Sequence, residues 1–267
     1  MTSVESMFNA LWEDYIAITP SALKVQRLLC GETTPHNDHI ALRTFNLAPL
    51  GLNSLAQHFE ALGYQAAGDY NFQQKKLRAK HYQHPHATYP KVFISELEVE
   101  HMPAAVQETI AAMVSQIPAN AVNQPDFVYS GVHWACDFAT YQSLLAVSEY
   151  AAWVYIWGFR ANHFTISVNH LQDYIDLVAV NERLKQAGIS LNDAGGEIKG
   201  SVEVGLQQSS TWADQVEVVL DGQPHVIPSC FYEFALRHPL KNGLLYQGFV
   251  TASADKIFES THADKKQ

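Results

Sequence analysis

The feature that most restricts what this chain can fold into is a pattern that occurs twice. HIALRTFN (39–46) alternates, with His39, Ala41, Arg43 and Phe45 on one face and Ile40, Leu42 and Thr44 on the other, which predicts a strand. LNSLAQHFEALGY (52–64) then predicts a helix closed near Gly63. Farther on, HFTISVN (163–169) is again a short strand opening on histidine, and LQDYIDLVAVNERLKQAG (171–188) is again a helix ending in glycine. His39 to Gly63 spans 24 residues and His163 to Gly188 spans 25, and a small polar residue precedes each histidine (Asp38, Asn162).

Each unit is followed by more strands. After the first come the alternating aromatic and basic residues of NFQQKKLRAKHYQHPHATYP (71–90), which suit strands or a hairpin, and then YPKVFISELEV (89–99). After the second come EIKGSVEVGLQQS (197–209), DQVEVVL (214–220) and CFYEFALR (230–237), with DGQP (221–224) as a turn between the last two. This is an α+β pattern. It predicts two pseudo-repeated βαβββ-type modules that form a central curved antiparallel/mixed sheet around a shared cavity.

The N-terminal segment adds helices. Met7, Leu11 and Tyr15 recur every four residues within 4–17, and 21–31 reads as a second helix with Ser21 as its N-cap and Gly31 as its stop. The stretch 103–117 predicts a connecting helix. No Pro/Ser-rich linker parts the halves. The chain therefore reads as one domain over 1–267, with a helical segment at 1–35, module one at 36–125 and module two at 126–267.

Composition narrows the partners. The 17 Lys and Arg stand against 27 Asp and Glu, a net charge of −10, which argues against nucleic-acid binding. Charged residues make up only 16% of the chain, so much surface is expected to be buried, an interface in a homo-oligomer included. The three cysteines lie far apart without C-x-x-C spacing, which disfavours a thiolate zinc site or a disulfide framework. The opening MTSVESMFNALWEDYIA lacks the early basic residues of a signal peptide, and no apolar run reaches a membrane-spanning length of about 18 residues. A cytoplasmic location is the expectation.

The chemistry-bearing residues follow from the repeat. His39 and His163 hold equivalent positions, so in a pseudo-twofold assembly they can meet across one cavity and share a metal ion. Glu233 lies in the apolar stretch Cys230–Leu236, where a carboxylate must be paired, protonated or metal-bound. Glu96, in VFISELE, is its rival from the first module. Two His and one carboxylate are the set used by non-haem Fe(II) oxygenases, while zinc on the same ligands favours hydrolysis or proton transfer; the ligands alone leave both open. Arg43 shares the face of His39 and can reach a carboxylate in the cavity or pair with an acid of the fold. His81, His84 and His86 read as a solvated loop, and His58 and His170 as surface residues. Phosphate-binding glycine motifs and a nucleophile elbow are absent from the sequence.

NDHIALRTF (37–45), WGFRANHFTISVN (157–169), FYEFALR (231–237) and YQGFVTASADKIFEST (246–261) together resemble the 2-oxoadipate dioxygenase/decarboxylase family, also called hydroxyglutarate synthase, over residues 36 to 261. That family is related to the vicinal-oxygen-chelate superfamily, whose paired βαβββ modules match the repeat. The resemblance implies Fe(II) held by His39, His163 and Glu233. It implies that Arg43 binds a substrate carboxylate and that Val250 touches the substrate through its backbone. The implied reaction takes 2-oxoadipate and O2 to 2-hydroxyglutarate and CO2, a step of lysine breakdown. The chain is compact beside the longer members of the family. A zinc-dependent hydrolase or isomerase on the same scaffold is one alternative, and a metal-free binding protein for a small dicarboxylate is another.

Overall fold

A computed structural model describes residues 3–262. Helices α1 (Val4–Ala17) and α2 (Ser21–Cys30) form where the spacing predicts them. Ser3 and Ser6 cap α1 reciprocally. At α2 the expected cap is wrong: Ser21 is already helical, Pro20 is the cap, and the Asp214 carboxylate, 2.7 Å away, accepts the Ser21 N–H.

The first module comprises β1 (Asn37–Phe45), α3 (Leu52–Glu60), β2 (Gln65–Phe72), β3 (Leu77–Gln83) and β4 (Lys91–Leu97). Helices α4 (Ala104–Val114), α5 (Phe138–Leu145) and α6 (Glu149–Trp157) lead to the second. That module comprises β5 (Ala161–Ser167), α7 (Leu177–Gln186), β6 (Lys199–Ser201), β7 (Leu206–Ser210), β8 (Gln215–Leu220), β9 (Gln223–Pro228) and β10 (Phe231–Arg237), and α8 (Thr251–Ile257) follows.

Eight strands make one sheet in the order β2-β3-β4-β1-β5-β10-β7-β6. The order reads the same from its middle outward in both modules. β1 pairs in parallel with β4 as β5 does with β10, and β1 and β5 meet antiparallel at the centre. α8 packs against both edge strands, β2 and β6, so the sheet curls into a half-barrel with α8 across its opening.

Strand parity sorts the side chains. On β5 and β10, Phe164 and Tyr232 point to the back of the sheet, where Trp12 and Tyr15 of α1 meet them with ring centroids 5.0–6.0 Å apart. The Tyr15 hydroxyl donates to the Phe231 carbonyl at 2.6 Å, which ties α1 to β10. The alternate residues, among them His163 and Glu233, face the hollow of the half-barrel.

Two local readings are corrected, and helix α6 was not read at all. β8 pairs with β9, not with 230–237, through a tight turn in which Asp221 and Gly222 both have positive φ, and this hairpin stands outside the main sheet. α7 starts at Leu177 because the Asp176 side chain caps it, accepting the Ala179 N–H at 2.8 Å. α6 escapes periodicity altogether, since every residue from Tyr150 to Trp157 is buried and leaves no polar face. Gly158 ends α6 at φ +65°, and a Cβ there would lie 2.1 Å from the Gly131 carbonyl oxygen, so only glycine fits. Among the described residues, no helix is long and apolar enough to cross a membrane.

Candidate metal centre

Three adjacent strands bring His39, His163 and Glu233 together. Ala41 lies opposite His163 across β1 and β5, and Thr165 lies opposite both His39 and Glu233. The two imidazoles meet edge-on, with centroids 5.6 Å apart and planes at 84°. His39 Nε2 lies 3.5 Å from Glu233 Oε1, and His163 Nε2 lies 3.3 Å from Glu233 Oε2. All three side chains are buried. A metal about 2.0–2.2 Å from each ligand puts neighbouring donor atoms roughly 3.0–3.5 Å apart, so the donors fit one divalent ion.

The residue before each histidine orients it. His39 Nδ1 is 2.8 Å from Asp38 Oδ1, and His163 Nδ1 is 3.2 Å from Asn162 Oδ1. This pattern assigns the proton to Nδ1 and turns the Nε2 lone pair toward the centre. Asp38 is itself gripped by Arg237, with Nε 2.6 Å from Oδ2 and Nη2 2.8 Å from Oδ1. Burial alone would raise the Asp38 carboxyl, but Arg237 and the His39 hydrogen bond hold it well below the usual carboxylate range. Burial, with His39 and Arg43 nearby, pushes His163 well below the usual imidazole range and so keeps it neutral, the form that binds metal. Burial raises Glu233, and the Gln208 amide donates to its Oε1 at 2.6 Å. The Thr165 hydroxyl donates to His39 Nε2 at 3.1 Å.

The wall around these groups is apolar. Ala41, Phe93, Phe231, Phe249, Ala254, Ile257 and Phe258 leave about 20 Å³, room for about one water. The last three come from α8 and the turn after it, so the C-terminal segment closes the cavity. Arg237 holds the approach to that segment, donating through Nη1 to the carbonyls of Tyr246 and Gly248 at 2.9 and 2.8 Å.

Glu96 takes no part. Its neighbours Phe93 and Ser95 share the inner parity of β4, whereas Glu96 points to the other face. There it accepts the Leu52 N–H at the start of α3 at 2.9 Å and pairs with Arg78 at 2.7 Å. The pseudo-twofold explains the choice. Glu233 lies opposite Thr165, two residues past His163, while Phe93 lies opposite Ala41, two residues past His39. The first module thus has a phenylalanine where the second has the carboxylate.

Arg43 lies farther along the inner face of β1 and is only 1% exposed. Its Nη1 is 3.1 Å from Glu149 Oε1 and its Nη2 donates to Thr261 Oγ1 at 3.0 Å. Its Nε has no partner among the described residues. The guanidinium carbon sits over the rings of Tyr150, Trp153 and Phe258 at 4.9, 5.0 and 5.8 Å. Arg43 is next to the cavity without lining it. Val250 caps α8, directly after Phe249 of the cavity wall.

Sequence reasoning missed Gln208, Thr165, Glu149 and the pairing of Arg237 with Asp38, which depend on contacts between elements distant in sequence. Asp38 and Asn162 carried a signal, the shared polar residue before each histidine. Two histidine assignments are corrected. His81 is buried on β3 with its Nδ1 2.9 Å from the Tyr70 hydroxyl, not in a solvated loop. His58 is buried with its Nε2 2.9 Å from the Val122 carbonyl.

A curled sheet of paired modules places at its centre a buried His-His-Glu set whose donor atoms could hold a metal ion. A glyoxalase-superfamily structure from Ralstonia eutropha shares this fold, with a TM-score of 0.73 at 20% identity over 92% of this chain and 85% of that one. The family model for 2-oxoadipate dioxygenase/decarboxylase matches residues 4–243, and the chain belongs to that family of enzymes. It is 34% identical to the chloroplastic 2-oxoadipate dioxygenase/decarboxylase of Arabidopsis thaliana over 85% of this chain and 68% of that one. Hydroxyglutarate synthase from Oryza sativa, solved in complex with 2-oxoadipate, matches with a TM-score of 0.88 and 31% identity over 97% of this chain and 92% of that one. A Shewanella frigidimarina protein named as a hydrolase, without a stated substrate, matches with a TM-score of 0.91 and 55% identity over 94% and 99%.

Proposed function

We propose that this protein is an Fe(II)-dependent dioxygenase/decarboxylase that takes 2-oxoadipate and O2 to 2-hydroxyglutarate and CO2, as in lysine breakdown. The observation that carries the reading is the convergence of His39, His163 and Glu233, two imidazoles and one carboxylate, at the closed apolar end of the half-barrel. Membership of the family and the binding of 2-oxoadipate by the rice relative support the substrate.

His39, His163 and Glu233 would hold the iron, which supplies Lewis acidity and redox chemistry with dioxygen. The chain supplies the rest. Asp38 and Asn162 keep both Nε2 atoms aimed inward, and Gln208 fixes the Glu233 carboxylate. Arg43 receives the carboxylate at the far end of the substrate, and its unpartnered Nε–H is a donor ready for it. Val250 meets the substrate through its backbone at the start of α8. Phe93, Phe231 and Phe249 keep water from the reacting end. A six-carbon diacid needs more than the present 20 Å³, so α8 and Phe258 give way as it enters.

The test is oxygen uptake by iron-loaded protein with 2-oxo acids of increasing length. Consumption is expected with 2-oxoadipate and is expected to vanish in His39→Ala, His163→Ala and Glu233→Ala. The hydrolase name of the Shewanella relative is what favours the zinc alternative. Zinc without iron after anaerobic purification, with full activity in the absence of oxygen, would establish that alternative instead.

A further inference from the structure

This inference rests on reading Arg43 as the partner of a substrate carboxylate, and it concerns the acid that already holds that arginine. Glu149 is the first residue of α6, whose positive dipole end favours its negative charge. Its Oε1 lies 3.1 Å from Arg43 Nη1. Arg43 is sealed from solvent, but the Glu149 side chain is 16% exposed and lines a surface cleft of about 420 Å³. Lys75, Lys76, Tyr150 and Phe258 line the same cleft. Phe258 also walls the metal cavity. Cleft and cavity therefore meet at one ring, and the Arg43–Glu149 pair sits beside it.

With Nη1 on Glu149, Arg43 carries little unbalanced charge toward a further group. A second carboxylate brought to this guanidinium meets Glu149 at close range, where little water screens the repulsion. We propose that Glu149 is a specificity-determining residue: the substrate's far carboxylate takes Arg43 over from Glu149, which turns into the cleft. Cations are available there. Lys75 lies 3.9 Å from Asp255, and Lys76 pairs with no carboxylate among the described residues. Glu149 then sets how strongly the site prefers a second carboxylate to an uncharged chain end, because only a group that competes for Arg43 must overcome it.

The test is calorimetry on iron-loaded protein without oxygen, titrated with 2-oxoadipate and with 2-oxohexanoate, which has the same length and lacks the second carboxylate. Glu149→Gln is expected to tighten 2-oxoadipate on the order of tenfold and to leave 2-oxohexanoate within about twofold. Glu149→Ser cannot re-form the contact and is expected to move the ratio the same way, so it carries the comparison if the Gln variant does not fold. Weaker diacid binding in these variants, or equal changes for both acids, would overturn the role of Glu149 and leave the diacid reading standing. A wild-type protein that binds the two acids equally well would overturn the reading of Arg43, and this inference with it.

Discussion

Arg237 and Asp38 form a two-pronged ion pair directly behind the His39 imidazole, with both partners buried and contacts of 2.6 and 2.8 Å. The pair joins the candidate metal centre to the C-terminal segment, because Arg237 also holds the carbonyls of Tyr246 and Gly248. Asp38→Ala is expected to weaken metal binding about 10–100-fold and to cost about 3–5 kcal/mol of stability, since Arg237 is left buried and uncompensated. Competition with a chelating dye and chemical denaturation measure the two effects separately.

Metal binding itself is the next expectation. Metal is expected to add to the stability of the folded protein, by about 2.7 kcal/mol when free metal is a hundredfold above its Kd. A chelator is expected to lower the Tm of the wild type. Glu233→Gln is expected to remove the metal and to show no such drop, and metal content read beside thermal melts checks both.

Arg43 sits under three aromatic rings with its Nε unpaired. Arg43→Lys keeps the charge and loses the planar fork, so KM for 2-oxoadipate is expected to rise, roughly 30-fold or more on a loss of about 2 kcal/mol or above. The rise is expected to fall on KM rather than kcat, because in the proposed reading the residue grips the end of the substrate far from the metal. Steady-state kinetics at saturating oxygen separates the two.

That His39 and His163 come together was legible in the sequence because a repeat marks equivalent positions. His39 and His163 could be chosen from 13 histidines on that ground, whereas the apolar surroundings of Glu233 left Glu96 as its rival until the family resemblance favoured Glu233. Most strand segments of both modules were visible, but most of β2 (Gln65–Phe72) and the whole of β9 (Gln223–Pro228) were not. What was not visible has physical reasons. α6 is buried all round and shows no period. His81 follows a basic run that reads as solvated, yet strand parity turns it inward. Glu149 and Arg43 are 106 residues apart, and only the packing of α6 against β1 joins them.

The back of the sheet offers a control. The Tyr15 hydroxyl donates to the Phe231 carbonyl, next to the Tyr232 ring and on the far side of the sheet from the cavity. Tyr15→Phe is expected to cost about 1–3 kcal/mol of stability and to leave metal content unchanged. Urea denaturation and metal analysis on one preparation test both.

The most direct measurement is the fate of labelled oxygen. Iron-loaded protein, given 2-oxoadipate and ¹⁸O₂, is expected to yield 2-hydroxyglutarate carrying both labelled atoms, one in the new hydroxyl and one in the carboxylate formed from the keto carbon, with CO2 unlabelled. A product whose hydroxyl oxygen comes from water, or turnover of 2-oxoadipate without oxygen consumption, would contradict the account.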